Sequence, residues 1–201
     1  MARPSTRLIT RERIMTTALR LVDDHGPEAL SVSRVAAELG VKGPSLYNHI
    51  AGKAELVEGL RELLTEQIGT APAELRPWTV AATRWAHRYR TVFAAHPRVV
   101  PLLTAEPIGS AATLDAYERA YEVLREASWP EGEVPAVVRA IEYFVVGSAL
   151  DLITRDPEQA ELGFEIGLSS LIGGLEERLR RHLEGAGEAA GGAAGEPAGG
   201  A

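Results

Sequence analysis

The chain has no cysteine in its 201 residues. Disulfides, cysteine-based metal sites and thiol nucleophiles are therefore excluded, and a reducing cytoplasm is the expected location. No uninterrupted apolar run reaches the ~18 residues that a membrane span needs, so no membrane association is predicted. The basic N-terminus lacks the apolar segment of a secretory signal. We predict no cofactor and no metal site.

Positive charge is outnumbered, because the chain has 21 Lys and Arg against 28 Asp and Glu, which gives a formal net charge of −7. Taken alone, this value argues against nucleic acid as a partner, but the charge is unevenly distributed. Residues 1–53 contain eight Lys and Arg against five Asp and Glu, a local balance of +3 that leaves −10 for the rest of the chain. A basic N-terminal module attached to an acidic body can still present a positive face to phosphate.

No segment shows the sustained period-2 alternation of a β-strand, whereas apolar residues recur at helical spacing almost throughout. We therefore predict an all-α protein of about nine helices, with a small N-terminal bundle and a larger C-terminal one. The expected divisions are a basic arm at residues 1–9, a small domain at 10–69, a larger domain at 70–184 and a tail at 185–201. The Gly/Ala-rich tail cannot bury a core, so we expect it to be disordered.

Residues 31–50 have the outline of a helix-turn-helix, with two short helices joined by a tight turn. Ser31 is a candidate N-cap, and Gly40 can adopt the backbone conformation that a sharp turn requires. Leu46 and Ile50 point into the core at helical spacing. The residues left for the outer face of the second helix are Gly43, Pro44, Ser45, Tyr47, Asn48 and His49.

Hydroxyl, phenol, amide and imidazole groups suit phosphate oxygens and base edges, so this face is a candidate DNA-contacting surface. Structural alternatives remain open, because Tyr47 could belong to the core and His49 could be a buried or capping residue. Lys53 stands at a helix start, where the helix dipole disfavours a cation, and a phosphate contact explains it better than solvation.

The stretch "ALSVSRVAAELGVKGPSLYNHIAGKAELVEGL" resembles the N-terminal domain of the tetracycline repressor (TetR) family of bacterial transcription regulators. The similarity runs without gaps from Thr10 to about Leu64. Its most telling residues are Gly26, Leu30, Val35, Ala36, Leu39, Gly40, Val41, Leu46, Tyr47, His49, Lys53 and Leu56. Beyond Pro77 only the length and helix order match, so no residue of that part is carried over.

The resemblance implies that Pro44, Ser45, Tyr47, His49 and Lys53 hold the DNA backbone. Two positions that contact bases in the tetracycline repressor are Ser33 and Gly43 in this chain, and glycine offers no side chain. Base reading is therefore expected to shift to Lys42, Asn48 or Ser33, and the tetracycline operator is not the expected target. Arg3, Arg7 and Arg11 form a basic arm that is either a DNA contact or a solvated segment.

The resemblance also implies a C-terminal domain that binds a small molecule, although its aromatic residues could simply be core. The candidates for lining a cavity are Trp85, Tyr89, Phe93, Tyr117, Tyr121, Tyr143, Phe144 and Asp151. The last two predicted helices are apolar enough to form a dimer surface. The candidate interface residues are Val138, Val145, Leu168, Leu171, Ile172, Leu175 and Leu179.

One helix-turn-helix reads only a few base pairs, so specificity needs two half-sites and hence a dimer. The sequence thus predicts a homodimeric, non-enzymatic transcription regulator on a palindromic double-stranded operator. We expect a repressor that an unidentified small-molecule effector releases. The alternative is an all-α small-molecule-binding or enzymatic domain whose N-terminal module serves protein interaction.

Overall fold

The computed structural model describes residues 9–69, 75–151 and 156–193. These residues form nine α-helices and no strand, which confirms the predicted all-α class. The helices are α1 (Arg11–His25), α2 (Val32–Glu38), α3 (Gly43–Tyr47), α4 (Lys53–Ile68), α5 (Trp78–Ala95), α6 (Val100–Ala105), α7 (Ala111–Glu126), α8 (Val134–Asp151) and α9 (Pro157–Ala193). Short 3-10 segments at Pro27–Ala29 and Pro97–Val99 precede α2 and α6.

Hydroxyl caps fix the starts of α1 and α2. The Thr10 side chain accepts a hydrogen bond from the backbone N–H of Arg13 at 3.3 Å. Ser31 accepts one from the N–H of Arg34 at the same distance. Each cap satisfies a backbone donor that the first helical turn leaves without a partner. The Ser31 cap was predicted from the sequence and is confirmed.

The N-terminal domain has an aliphatic core between α1, α2, α3 and α4. Its fully buried residues include Ile14, Ala18, Val22, Val35, Leu46, Leu56 and Leu60. Burying a leucine or isoleucine contributes about 1.5–3 kcal/mol, so these side chains supply most of the energy that holds the short helices in place. The five-residue α3 is too short to be stable without this packing.

The C-terminal domain is built around the paired helices α5 and α8, with α7 and α9 packed against them. Its core is richer in aromatic rings than that of the N-terminal domain. Trp78 and Trp129 meet edge to face, with ring centroids 5.6 Å apart. Phe144 stacks on Phe164 at 5.6 Å. Offset-stacked and edge-to-face pairs of this kind are the favoured aromatic geometries.

The two domains share one apolar core across the predicted boundary near residue 70. Phe93, Val99, Val100 and Leu103 are buried in the same cluster as the N-terminal core residues. The predicted boundary residues 70–74 lie outside the described part of the chain. The later turns of α4 therefore pack against helices of the second domain, while its first turn follows the short helix α3.

Two polar joints reinforce this shared core. The buried guanidinium of Arg61 in α4 donates to the carbonyl oxygens of Leu103 at 3.0 Å and Glu106 at 2.8 Å. It thereby satisfies carbonyl groups at the end of α6, where a cation also complements the helix dipole. Arg61 also pairs with Glu58 at 3.1 Å. Two hydrogen bonds from one side chain thus join α4 to the end of α6.

The second joint lies at the end of α1. His96 Nδ1 is 2.8 Å from a carboxylate oxygen of Asp23. Arg98 donates to the carbonyl oxygens of Asp23 at 2.7 Å and Asp24 at 3.0 Å. The segment between α5 and α6 therefore satisfies carbonyl groups at the C-terminus of α1, a helix of the N-terminal domain.

Two expectations about the C-terminal part differ from the structure. The predicted dimer residues Val138, Val145, Leu168, Ile172 and Leu179 are buried inside a single chain, with at most 7% exposure. They pack between the helices of their own domain. The apolar stripe that predicted an interface is the stripe that forms this core. Leu171 and Leu175 are partly exposed, and their place in an interface stays a prediction.

The tail expectation is wrong for residues 185–193, because α9 continues to Ala193. Glu177, Arg180 and Glu184 form ion pairs at i, i+3 and i, i+4 spacing just before the glycines. Such pairs and the alanines favour helix, and they offset the glycine content over this length. Residues 194–201 lie outside the described part.

Candidate functional site

The turn between α2 and α3 sets the orientation of α3. Gly40 has a φ of +69°, a conformation that a residue with a Cβ adopts only at a cost. The N–H of Gly40 bonds to the carbonyl of Ala37, and that of Val41 bonds to the carbonyl of Ala36, each at 3.0 Å. The main chain thus reverses within a few residues and leads directly into Lys42, which precedes α3.

The side chains of α3 and the residues after it divide cleanly into two faces. Leu46 and Ile50 are at most 1% exposed and anchor the segment on the aliphatic core. Tyr47, between them, is 59% exposed, so the core interpretation of Tyr47 is wrong. The other exposed predicted residues are Ser33, Lys42, Pro44, Ser45, Asn48, His49 and Lys53, while Gly43 is partly buried.

The outer face is thus a continuous polar surface that carries hydroxyl, phenol, amide, imidazole and ammonium groups. His49 is exposed, so it is not the buried residue of the alternative interpretation. The backbone N–H of His49 donates to the carbonyl oxygen of Leu46 at 2.9 Å, and the imidazole side chain faces outwards. Such a set of groups can bind phosphate oxygens and base edges.

The start of α4 is fixed by a carboxylate from its first turn. Glu55 accepts a hydrogen bond from the N–H of Ala51 at 2.7 Å, and it pairs with Arg11 at 2.8 Å. The bond from Ala51, followed by that from Arg11, lowers the pKa of the Glu55 carboxyl. Lys53 is exposed and forms no salt bridge within the described ranges, so its ammonium group is available to an anion.

Arg11 belongs to this internal network and not to a free basic arm. Its guanidinium bridges Glu55 and Glu62, the latter at 3.2 Å. Arg3 and Arg7, the other arginines of the predicted arm, lie outside the described residues. The sequence analysis left out Arg34, which is exposed in α2 next to Ser33. Its position one residue beyond a predicted base contact is the signal that could have identified it.

Four of the eight predicted effector residues form one group in the C-terminal domain. They are Trp85, Tyr89, Tyr117 and Tyr121, from α5 and α7. Trp85 meets Tyr89 edge to face at 5.1 Å, and Tyr117 lies 6.2 Å from Tyr121 between ring centroids. All four are only partly exposed. Trp85 also lines a narrow apolar crevice between α5, α7 and α8, and the three tyrosines pack against the same core cluster; the crevice and these rings together are called the aromatic cleft.

Glu142 of α8 completes this cleft, and the sequence analysis did not identify it. The hydroxyl of Tyr117 donates to Glu142 Oε1 at 2.6 Å. Burial raises the pKa of the Glu142 carboxyl, although the bond from Tyr117 acts in the opposite direction. Burial and the nearby Glu142 charge raise the pKa of Tyr89, Tyr117 and Tyr121, so these phenols stay neutral. The signal in the sequence that could have identified Glu142 is its position as a carboxylate within the mostly apolar helix α8.

The other four predicted effector residues are less closely tied to this group. Tyr143 is 68% exposed on the outside of α8 and cannot line a cleft inside its own domain. Phe93 is buried in the shared interdomain core, and its ring stacks on Tyr89 with centroids 4.5 Å apart. Phe144 packs against Phe164 on the α9 side. The side chain of Asp151 lies outside the described residues.

The described helices form a helix-turn-helix domain followed by a second, larger helical domain. Comparison with known proteins gives the same result for both parts. Residues 14–60 match the family model described as bacterial regulatory proteins of the tetR family. Residues 71–162 match the model of the tetracyclin repressor-like C-terminal domain.

Individual proteins agree with these matches. The chain is 27% identical to the HTH-type transcriptional repressor DrrR1 of Streptomyces coeruleorubidus, over 77% of this chain and 58% of DrrR1. It is also 27% identical to tetracycline repressor protein class C of Escherichia coli, over 84% and 91% of the two chains. BioQ solved with its double-stranded DNA operator has a TM-score of 0.64 and 25% identity, over 84% of this chain and 98% of BioQ.

A solved TetR of Acinetobacter baumannii AYE, in complex with minocycline, shares the fold with a TM-score of 0.76 and 24% identity. The matched region spans 86% of this chain and 99% of the Acinetobacter protein. The chain belongs to the tetracycline repressor family. It is accordingly a DNA-binding transcription regulator and not an enzyme.

Proposed function

We propose that the chain acts as a cytoplasmic homodimeric repressor that leaves its operator when a small molecule enters the C-terminal domain. The observation that carries the proposal is the outward polar face of α3, held on two fully buried anchors. Similar proteins support it, because BioQ was solved with its DNA operator and both DrrR1 and the class C protein are described as repressors. No described helix has the length and hydropathy of a membrane span.

On this surface we assign phosphate contacts to Pro44, Ser45, Tyr47, His49 and Lys53. Lys42, Asn48 and Ser33 lie beside them and are the proposed base readers, since Gly43 has no side chain to offer. Phosphate contacts fix the register of a protein on DNA, whereas contacts in the grooves supply specificity. Substitutions in the two sets should therefore have different effects across a panel of DNA sequences.

The proposed dimer surface is the outer face of α8 and α9. Tyr143 and Leu150 are exposed on α8, and Leu162 and Ile166 on α9. Large exposed apolar side chains on two neighbouring helices are typical of an interface. Leu162 and Ile166 are one helical turn apart, so they lie on the same face of α9.

Sedimentation at several concentrations tests this surface. Ile166→Glu should place two carboxylates at the symmetric contact and shift the protein to monomer. Leu114→Glu is the matched control, because Leu114 is exposed on α7 to a similar degree as Ile166, 53% against 58%. A dimer that survives Ile166→Glu, or one that Leu114→Glu disrupts equally, would place the interface elsewhere.

Selection from a random DNA pool tests the DNA-binding assignment. We expect the selected sequences to contain an inverted repeat, because a two-fold dimer reads two half-sites. On that sequence, Lys53→Ala should weaken binding about tenfold or more, since each dimer loses two phosphate contacts, and should reduce the salt dependence. Arg119→Ala removes the same charge from the exposed surface of α7 and should leave affinity unchanged.

Tyr47→Ala should likewise weaken operator binding without changing dimerisation. Unchanged affinity in both the Tyr47 and Lys53 variants would contradict the assigned surface. The alternative of an enzymatic domain with a protein-interaction module is not supported, because both domains match the regulator family.

A further inference from the structure

The aromatic cleft contains a carboxylate whose charge has little local compensation. Tyr117, a neutral phenol, donates the short hydrogen bond to Glu142. Glu142 takes part in no salt bridge within residues 9–69, 75–151 and 156–193. The nearby cation is Arg139, which is exposed one turn earlier on α8 and hydrogen-bonds Tyr143. A mostly buried carboxylate in this position carries an unmet demand for positive charge.

Three phenol rings from two other helices lie near the Glu142 carboxylate. Tyr117 and Tyr121 approach from α7, and Tyr89 approaches from α5, close enough for the Glu142 charge to act on all three. The faces of aromatic rings carry negative electrostatic potential and attract cations within about 6 Å. Rings and carboxylate therefore favour the same sign of charge in an occupant and disfavour an anion.

An apolar crevice lies between the same three helices. It is lined by Trp78, Ala81, Ala82, Trp85, Ala120, Val123, Leu124, Val138 and Ile141. In this conformation it has about 30 Å³ of accessible space, room for about one water molecule. Ala81, Ala82 and Ala120 are small side chains between α5 and α7, so a larger occupant requires these helices to separate.

We propose that the effector site recognises an organic cation, with an ammonium group between Glu142 and the three tyrosines and an apolar body beside Trp85. The inference rests on the proposed ligand-responsive function and specifies the chemical class of its ligand. A metal ion does not fit this site, since no group of three or more potential His, Asp or Glu ligands occurs in the described parts of the chain. The one carboxylate and neutral phenols favour a single organic charge.

Three monosubstituted benzenes of similar size test the charge preference. They are benzylamine, benzyl alcohol and benzoate, each added to the full chain near neutral pH. Tryptophan fluorescence follows binding, because Trp78 and Trp85 line the crevice. The amine, a cation under these conditions, should bind about tenfold more tightly than the alcohol, and benzoate should bind most weakly. Glu142→Gln should reduce the preference for the amine to less than about twofold and leave alcohol binding unchanged.

Glu122→Gln is the matched control, because Glu122 is exposed on α7 and its substitution removes the same charge. It should keep the full preference. Tyr117→Phe, which removes one hydroxyl, should weaken amine binding about threefold while the amine remains preferred over the alcohol. Circular dichroism verifies the fold of each variant, and Tyr117→Phe supplies the test if Glu142→Gln does not fold.

Equal binding of amine and alcohol by the unaltered protein overturns the proposal, as does failure of all three compounds to bind. A preference that survives in folded Glu142→Gln overturns it too. These measurements use no DNA, so they are separate from the proposed function. Charge-selective binding without operator release would retain the cation site and reject the ligand-responsive function.

Discussion

The two domains place their polar groups in opposite ways. In the N-terminal domain the core is almost entirely aliphatic, and the groups assigned to recognition, such as Tyr47 and Lys53, point outwards. In the C-terminal domain the groups of interest, Arg90 and Glu142, lie between helices. A surface that reads DNA can be built on any well-packed scaffold, whereas a site inside a domain must replace part of the core.

This difference has consequences for packing as well as for recognition. Arg90 is buried, pairs with Glu161 and stacks 4.3 Å above the Phe164 ring. Its Nε and Nη2 atoms have no hydrogen-bond partner in the described part of the chain. Buried polar groups that are incompletely paired cost free energy. Arg90 is therefore a position in the C-terminal domain at which removal of a polar group can increase stability.

The contrast is tested most strongly at two adjacent residues of α3. Leu46→Ala removes a fully buried side chain and should lower the free energy of unfolding by about 3 kcal/mol, through lost burial and the cavity left behind. Tyr47→Ala acts on an exposed side chain and should change it by no more than about 0.5 kcal/mol. Urea denaturation of both variants provides the measurement.

The expected pattern is a large stability loss without a DNA-specific defect at Leu46, and a DNA defect without a stability loss at Tyr47. If Tyr47→Ala destabilised the fold as much as Leu46→Ala, the inside and outside faces of α3 would be wrongly assigned.

The joint between the domains should show a smaller effect. Arg61→Ala leaves the carbonyl of Leu103 and the carboxylate of Glu58 without this cation and should cost about 2 kcal/mol. Burial disfavours ionisation of Glu58, yet bonds from Ser110 and Arg61 outweigh it, so the Glu58 pKa lies below its ordinary value. Part of the acid sensitivity of folding should therefore disappear in the variant.

Thermal unfolding of Arg61→Ala near neutral pH and in mild acid gives the comparison, with Arg119→Ala as the exposed control. Equal stability of the two variants would show that the α4 and α6 contact contributes nothing to the coupling of the domains.

The N-terminal domain could be predicted almost completely because its residues are governed by local rules. Caps at Thr10 and Ser31, a positive φ at Gly40 and inward anchors at Leu46 and Ile50 each follow from residue type and helical spacing. The DNA contacts of these outward residues stay a prediction.

The C-terminal domain could be predicted only in outline, because helical spacing identifies an apolar face but not its partner. Val138 and Leu168 were assigned to a second chain, yet they pack within their own domain. The roles of Glu142 and Arg61 depend on residues distant in sequence, Tyr117 for one and Leu103 for the other. Such pairings are set by tertiary packing, which periodicity does not specify.

The smallest predicted effect concerns the pH dependence at Glu142. Burial raises the folded-state pKa of this carboxyl above its ordinary value of 4.5. The folded protein therefore holds the proton more tightly than the unfolded chain, and stability is lost as pH rises from 4.5 through the raised pKa. Tyr89, Tyr117 and Tyr121 stay neutral and Arg139 stays charged over this window.

Glu142→Gln abolishes this loss because the amide can still accept the hydrogen bond from Tyr117 without carrying a charge. The variant should be more stable than the unaltered protein near neutral pH by up to about 1 kcal/mol, and the difference should shrink towards pH 4.5. Thermal unfolding across that range measures it, with Glu122→Gln expected to show no such trend. If Glu142→Gln were less stable at neutral pH and the deficit did not change with pH, the carboxylate would be a fully compensated part of the core and its demand for a cation would be absent.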